Sequence, residues 1–341
     1  MTGLAANAAT DEVTARFLDY RELLFAVGYN MLGSIADTED VLQEAWLAWA
    51  ARHRDPAARP VDNPRAYLVR VVANHAVARR AEIGRRRETY IGPWLPEPLV
   101  TVTEDVSGLV ERKESLSMAV LVVLETLTPL ERAVFVLHDV FGFGHPEIAA
   151  ILDRSPTAVR QLASRARKHI QARRPSLHDK HIETGTRFRA DRQSPADKEI
   201  QVGERIRPGG RSGDVRTDKE IQANVGKRLA EATLRGDLAT MLEVLAPDVT
   251  LWTDSGGVGP ARSLTPVHGH ERVAALFMAV AADLPAGHLT IGYRRVAEDP
   301  CVLVFSDDSP IAAVVVDLDA AGERIQTIYS ITNPHKLSRI N

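Results

Sequence analysis

A chain of 341 residues, 45% apolar and 26% charged, has the composition of a soluble globular protein and length for two or three domains. Its formal net charge of −3 excludes a uniformly basic nucleic-acid coat, so any DNA contact must come from local patches. The lone cysteine, Cys301, excludes an internal disulfide framework or a cysteine-based zinc cluster and suits a reducing cytoplasm; Met1 to Arg16 lacks the basic and apolar regions of a signal peptide, and no stretch approaches the ~20 apolar residues of a membrane span.

The first block, Thr10 to Tyr90, reads as helical. Charge is segregated within it: residues 11 to 62 hold ten acids, whereas Asn63 to Tyr90 hold seven arginines and two glutamates. In Asp37 to Trp49, Leu42, Ala45, Trp46 and Trp49 form an apolar stripe, and Asp37, Asp40 and Glu44 share the opposite face. That acidic face is either solvated or a docking surface for a basic partner; periodicity leaves both open. After the turn Asp62-Asn63-Pro64 a helix runs from Arg65 to Arg87, with Tyr67, Leu68, Val71, Val72 and Ala76 inward and an arginine-rich end. Its Arg70, Asn74, His75, Arg79 and Arg80 include groups able to reach bases or phosphates of an opened strand, although Asn74 and His75 serve equally well as satisfied polar residues inside a bundle.

The connector Ile91 to Leu99 carries Pro93, Pro96 and Pro98, which forbid helix and favour an extended segment. Its Trp94-Leu95 pair cannot bury itself and requires an external surface. A second helical block covers Glu104 to Pro175, with helices expected over Leu116 to Leu127 and Leu130 to Phe141 before a helix-turn-helix at residues 145 to 174. There the first helix is Pro146 to Leu152, Ser155 caps the second, and Pro156 occupies a first-turn position that needs no N–H. The second helix places Val159, Leu162, Ala163 and Ala166 on one side and Thr157, Arg160, Gln161, Ser164, Arg165 and Lys168 on the other. Arg160 to Arg174 contains six basic residues and no acid, a composition suited to phosphate contact.

Residues 176 to 216 are polar and aperiodic, and read as a flexible linker. Asp197-Lys198-Glu199-Ile200-Gln201 recurs as Asp218-Lys219-Glu220-Ile221-Gln222, a single short duplication without assigned function. The third block changes character. Helices at Gln222 to Arg235 and Leu238 to Leu245 precede a strand at Val249 to Thr253, a helix at Glu271 to Ala282, and four β-rich segments at Leu289 to Val296, Cys301 to Phe305, Ala312 to Leu318 and Ile325 to Ile331. This order predicts an α+β layer structure: a curved antiparallel sheet around helices, forming a cone with a cavity.

The pattern Asp37-x-x-Asp40-x-x-Gln43-Glu44-x-Trp46, the arginine-terminated helix after Asn63-Pro64 and the helix-turn-helix together resemble an extracytoplasmic function (ECF) sigma factor. The connector Trp94-Leu95-Pro96-Glu97-Pro98 is similar to that of the SigJ-like subgroup, which carries a C-terminal SnoaL-like domain of the nuclear-transport-factor-like fold. The resemblance implies a multidomain chain: a region 2 helical bundle at 11–90, a connector at 91–112, a region 4 helix-turn-helix at 113–175, a linker at 176–216 and the SnoaL-like cone at 217–337. Two motifs depart from the subgroup. Its Asp-Gly-Gly-Gly-Lys loop stands here as Asp254-Ser255-Gly256-Gly257-Val258, without the lysine, and its Asn-Pro-Asp-Lys-Leu as Asn333-Pro334-His335-Lys336-Leu337, without the aspartate.

The resemblance implies a promoter-specificity subunit that needs neither catalytic residue, cofactor nor metal. Asp37, Asp40, Gln43 and Glu44 would dock RNA polymerase core. The helix around Arg70 to Arg80 would capture the single-stranded −10 element, and the helix-turn-helix would read the −35 duplex. The connector, with Asp254, Gly256, Gly257, Asn333, Pro334, Lys336 and Leu337, would hold a regulatory contact in cis. Two alternatives are weighed. The third block is a cyclase- or isomerase-type enzyme or a small-molecule sensor, for which Asp254, His268 and His270 are the titratable candidates; or the chain is a simple repressor, which leaves Asp37 to Trp49 and Trp94 without a purpose.

Overall fold

A helical segment at residues 12–18 leads into three further helices of the first block: α1 (Arg21–Leu32), α2 (Ile35–Arg54) and α3 (Pro64–Arg87). Their boundaries follow from local chemistry. Gly33 ends α1 in the left-handed region, the Ser34 hydroxyl accepts from the Asp37 amide at the start of α2, and Asn63 accepts from Ala66 ahead of Pro64 in α3. Leu24, Val27, Trp49, Leu68, Val72 and Ile83 are fully buried where the three helices meet. This is a computed structural model that describes residues 12–101, 116–173, 218–283, 289–297 and 299–340. The expected linker at 176–216, the first copy of the short repeat and residues 102–112 of the expected connector lie outside the described residues.

The second block contains α4 (Met118–Leu124), α5 (Pro129–Phe135), which continues into a π-helical turn at Val136–Val140, then α6 (His145–Leu152) and α7 (Pro156–Arg173). Asp153 takes the left-handed conformation between α6 and α7, and the Ser155 hydroxyl accepts from the Ala158 amide, so the helix-turn-helix forms as its turn residues dictate.

The third block opens with α8 (Asp218–Arg235) and α9 (Leu238–Val244). It continues through β2 (Leu245–Asp254), β3 (Val267–His268), α10 (His270–Ala282), β4 (Leu289–Val296), β5 (Asp299–Ser306), β6 (Ser309–Leu318), β7 (Ile325–Ile331) and the short α11 (Pro334–Leu337). A two-residue strand in the connector, β1 (Val100–Thr101), pairs antiparallel with β4, with Val100 opposite Val296. The sheet order is β1-β4-β5-β6-β7-β2-β3, and β2 lies parallel to β7, a departure from the all-antiparallel expectation. The connector is extended, as its prolines require, and adds an edge strand to the third block.

Strand alternation gives this sheet two apolar faces. Val302, Val304, Ala312 and Val314 line a cavity closed on the other side by α8 and α10. Cys301, Leu303, Ala313, Val315, Tyr329 and Ile331 instead join one continuous hydrophobic cluster with Leu95, Met118 and the cores of both helical blocks. The Met118 amide donates to Asp299 Oδ2 at 2.7 Å across that junction. Among the described residues no helix is long and apolar enough to cross a membrane.

Candidate functional site

The recognition face of α7 is open. Val159, Leu162, Ala163, Ala166 and Ile170 are buried, while Thr157, Arg160, Gln161, Ser164, Arg165 and Lys168 are all exposed. Arg160 reaches only Thr157 on its own helix at 3.4 Å, and Arg165 lies 4.0 Å from Glu131, a weak contact. Arg167 is committed to structure, with its guanidinium 2.6 Å from Asp139. The open residues are those the helical spacing places outward.

The first block is different. Its acidic face is partly covered by α3: Asp37 is buried, Glu44 is half-buried and Asp40 stays exposed. Arg79 lies 3.5 Å from Asp37, 3.3 Å from Asp40 and 3.0 Å from Glu44. Arg86 meets Asp37 at 2.9 Å, and His75 Nδ1 meets Glu44 at 2.6 Å. Although burial works against its charge, Asp37, Glu44 and Asp40 raise Arg79 above its ordinary value. The edge of that face nearest α3 is therefore a helix–helix contact, in which the candidate polymerase residues Asp37, Asp40 and Glu44 are paired with the candidate DNA residues His75 and Arg79. Gln43 and Asp40 stay exposed, as does Arg70. Asn74 Nδ2 donates to the Arg70 carbonyl and, at 2.8 Å, to the carbonyl of Ile151 at the end of α6.

Arg80, expected to face DNA, is buried instead. It donates to Glu125 at 2.7 Å, as do Arg87 at 2.5 Å and Arg132 at 2.6 Å. Arg132 also donates to the Asn30 carbonyl at 2.9 Å, so this hub joins the two helical blocks. Burial alone would raise the Glu125 carboxyl, but Arg132, Arg80 and Arg87 together outweigh it and hold it at about 2. Arg132 is lowered to about 10, because burial and the repulsion of Arg80 and Arg87 exceed what one carboxylate returns. Both directions follow from three cations around one anion.

The connector and the third block form the second junction. Leu95 is fully buried, and its amide donates to Asp254 Oδ2 at 2.7 Å. Lys336 Nζ donates to the same oxygen at 2.7 Å and also to the Leu95 carbonyl, and lies 3.9 Å from the Trp94 ring centroid. The Tyr90 hydroxyl donates to Asp254 Oδ1 and accepts from Asn333 Nδ2 at 2.7 Å. Tyr90 packs edge-on against Trp94 at 4.7 Å. Burial pushes the Lys336 ammonium below its usual range, opposed by Asp254 beside it; burial, then the hydrogen bond to Asp254, pushes the Tyr90 phenol up. Gly256 and Gly257 have φ of +61° and +73°; a Cβ on the first would sit 2.5 Å from Asn333 and on the second 2.9 Å from Ile91. The loop thus approaches the connector as only glycine permits.

The other end of the connector holds the first block. Glu97 accepts from the Ser34 hydroxyl at 3.0 Å and the Ile35 amide at 2.6 Å, capping α2, while its amide donates to the Gly33 carbonyl at 2.8 Å. Pro96 and Pro98 are buried alongside. The two departures from the subgroup's motifs face outward: Val258 is 71% exposed, and His335 is exposed beside buried Asn333 and Lys336. The missing lysine and aspartate therefore fall outside the contact, and the residues retained are those that make it.

The enzyme candidates separate. Asp254 is fully buried but spends its oxygens on the connector, whereas neighbouring Thr253 lines the cavity. His268 is exposed and bonded to Thr250, and neither it nor His270 lines the cavity. From sequence alone no role is assigned to Tyr90, Arg86, Arg87, Glu125 or Arg132; a lone acid within the apolar run Met118 to Leu127 and an aromatic four residues before Trp94 are signals that could have found two of them.

Residues 17–86 match the Sigma-70 region 2 model and residues 117–170 the Sigma-70, region 4 model. The chain is 36% identical over 262 residues to "ECF RNA polymerase sigma factor SigJ" of Mycobacterium tuberculosis, covering 76% of this chain and 70% of that relative. The chain belongs to the ECF sigma factors of RNA polymerase. It is also 26% identical to "Probable ECF RNA polymerase sigma factor SigI" of the same species, over 96% of this chain and 95% of that one. The crystal structure of Mycobacterium tuberculosis SigJ is similar with a TM-score of 0.65 and 27% identity, over 95% of this chain and 98% of that chain. This sigma factor therefore directs RNA polymerase to promoter DNA through its two helical blocks, and the family is not enzymatic. The α+β block is part of the architecture it shares with SigJ.

Proposed function

We propose that the arrangement described is the resting state of the sigma factor, held in cis by its third block. The observation that carries this is the Asn74–Ile151 hydrogen bond at 2.8 Å, which sets the helix assigned to the −10 strand directly against the helix-turn-helix assigned to −35. Elements 25 base pairs apart span about 85 Å of B-form duplex at roughly 3.4 Å per step. Blocks in direct contact do not reach both, so initiation requires α3 and α6 to part. Arg79 covers Asp37, Asp40 and Glu44 within the first block, so freeing these acids for the polymerase core takes a further displacement of Arg79 by the partner itself. The Leu95–Asp254–Lys336 contact favours the closed state, because the connector that must move is fastened at one end to the third block and at the other to α2.

In this reading the third block is a regulatory module and not an enzyme. Support comes from Asp254, whose two oxygens are taken by Leu95, Tyr90 and Lys336, away from the cavity. The test is transcription in vitro with core polymerase, comparing the full chain, Lys336→Met, and a truncation after Pro175. Lys336→Met should bind core more tightly and change promoter output in the same direction as the truncation. Equal core affinity and equal transcription from all three would end the proposal.

A further inference from the structure

The third block encloses a cavity of about 720 Å³, within the range of small-molecule sites. Its walls include Leu229, Leu251, Leu276, Phe277, Val302 and Val304. The uncharged polar groups that reach it are hydroxyls, among them Thr253, Ser306 and Ser330, and Thr332 is already bonded to the Pro260 carbonyl at 2.7 Å. The lining also carries Arg262 and Asp283, but they lie at the exposed rim and are paired with each other. Among the described lining residues an ionic ligand would thus meet an apolar interior with no free countercharge, whereas a neutral carbon skeleton with one or two oxygen functions meets both kinds of wall. Val304, Leu276, Phe277 and Val280 remain half-buried although they face inward. Such side chains gain from an apolar occupant, and the enclosed space between helices and sheet is too small for a folded partner.

This cavity shares its wall with the contact that fastens the connector. Thr253 lines it and Asp254 binds Leu95, Tyr90 and Lys336. Thr332 lines it and Asn333 binds Tyr90. Pro334 and Leu337 line it, and Lys336 between them binds Leu95 and Asp254. The neighbouring strands repeat the arrangement, with Val302 and Val304 toward the cavity and Cys301 and Leu303 in the cluster shared with the helical blocks.

We infer that the cone is a binding site for a neutral, predominantly apolar small molecule, and that occupancy is transmitted through Thr253–Asp254 and Pro334–Leu337 to the connector. This rests on the cis-regulatory reading above. An occupant packing against Pro334 and Leu337 competes with the seat of α11 on the sheet, so it loosens the hold of Lys336 on Leu95.

The test uses the full-length protein and the neutral dye N-phenyl-1-naphthylamine as probe. Saturable dye fluorescence is expected, with affinity lowered about tenfold or more, some 1.4 kcal/mol per decade, in Ala312→Phe on the sheet wall and independently in Val280→Trp on the helix wall. Each variant is checked by circular dichroism and thermal unfolding, and two opposed walls guard against one variant failing to fold. Hydrogen exchange of the connector is the second readout: dye should speed exchange of the Leu95 amide in wild type and leave it unchanged in the filled variants. Absent saturable binding, or equal binding by wild type and both folded variants, overturns the site. Binding confined to the cavity with unchanged Leu95 exchange overturns the coupling. Lys336→Met separates this from the reading beneath it: altered transcription in that variant without dye binding leaves cis regulation standing and the ligand site refuted.

Discussion

The helix-turn-helix and the first block carry comparable densities of charge, yet they meet solvent in opposite ways. On α7 Thr157, Arg160, Gln161, Ser164 and Lys168 stand exposed, with Arg160 hydrogen-bonded to Thr157 on its own helix. On α2 and α3 the same kinds of group are spent on one another, with Arg79 serving Asp37, Asp40 and Glu44. The difference arises from neighbours. The recognition helix is packed on one side only, whereas α3 lies against α2 on one side and against α5 and α6 on another. Under the proposed assignments, a surface that reads duplex DNA is displayed in the resting chain while the one meant for opened strand and polymerase is kept paired.

The largest test of this asymmetry is Glu125, the anion that joins the two blocks. Glu125→Gln leaves Arg80 and Arg132 buried without a countercharge, and breaking a buried pair in this way costs on the order of 3–5 kcal/mol. A matching drop in unfolding free energy of the whole chain is expected in urea; a drop under about 1 kcal/mol would mean the hub is dispensable. The pH dependence has a definite sign. Glu125 titrates at about 2 when folded against an ordinary 4.5, so its contribution is complete above pH 4.5 and is lost as pH falls from there toward 2. The acid limb of stability should flatten in the glutamine variant.

Next in size is the polymerase face. Reversing Asp40 and Glu44 to lysine is expected to abolish core binding while helical circular dichroism persists, because both residues lie opposite the Leu42–Trp49 stripe. Arg79→Ala sharpens the test, since it removes the cation that covers those acids. Core affinity should rise several-fold even as −10 capture falls, exposed or half-exposed pairs being worth about 0.2–1 kcal/mol each. Weaker core binding in Arg79→Ala would show that the arginine is part of the polymerase contact and not its cover.

Sequence periodicity carried the helices, the turn chemistry at Ser155-Pro156 and the outward residues of α7, because each depends on spacing within one element. It carried the need of Trp94 and Leu95 for a surface, since an extended proline-rich segment has none of its own. It did not carry the partners of Arg80, which lies 45 residues from Glu125, nor the orientation of Asp254, which lies 159 residues from Leu95. A helical wheel identifies the side opposite the core stripe but says nothing of a second helix arriving there, and this is how Asp37 is buried. Likewise β1 has no strand signature of its own; two residues become a strand because β4 offers an unpaired edge.

The smallest effects belong to the open face, and there the two classes of contact divide. Arg160→Ala and Gln161→Ala should each cost about 1–3 kcal/mol on the preferred −35 sequence and much less on others, because a base-edge hydrogen bond exists for one base only. Lys168→Ala, a point charge toward the backbone, should weaken all duplexes alike and reduce the salt slope of log K by roughly 1. Fluorescence anisotropy with two or three promoter duplexes at several salt concentrations separates these behaviours. The comparison also fixes an internal control: since α7 is free in the resting chain, Lys336→Met should leave −35 duplex affinity nearly unchanged while it alters core binding. A uniform loss across sequences in Arg160→Ala and Gln161→Ala would move base reading off this helix. A large rise in duplex affinity in Lys336→Met would mean that the −35 surface, too, is restrained by the third block.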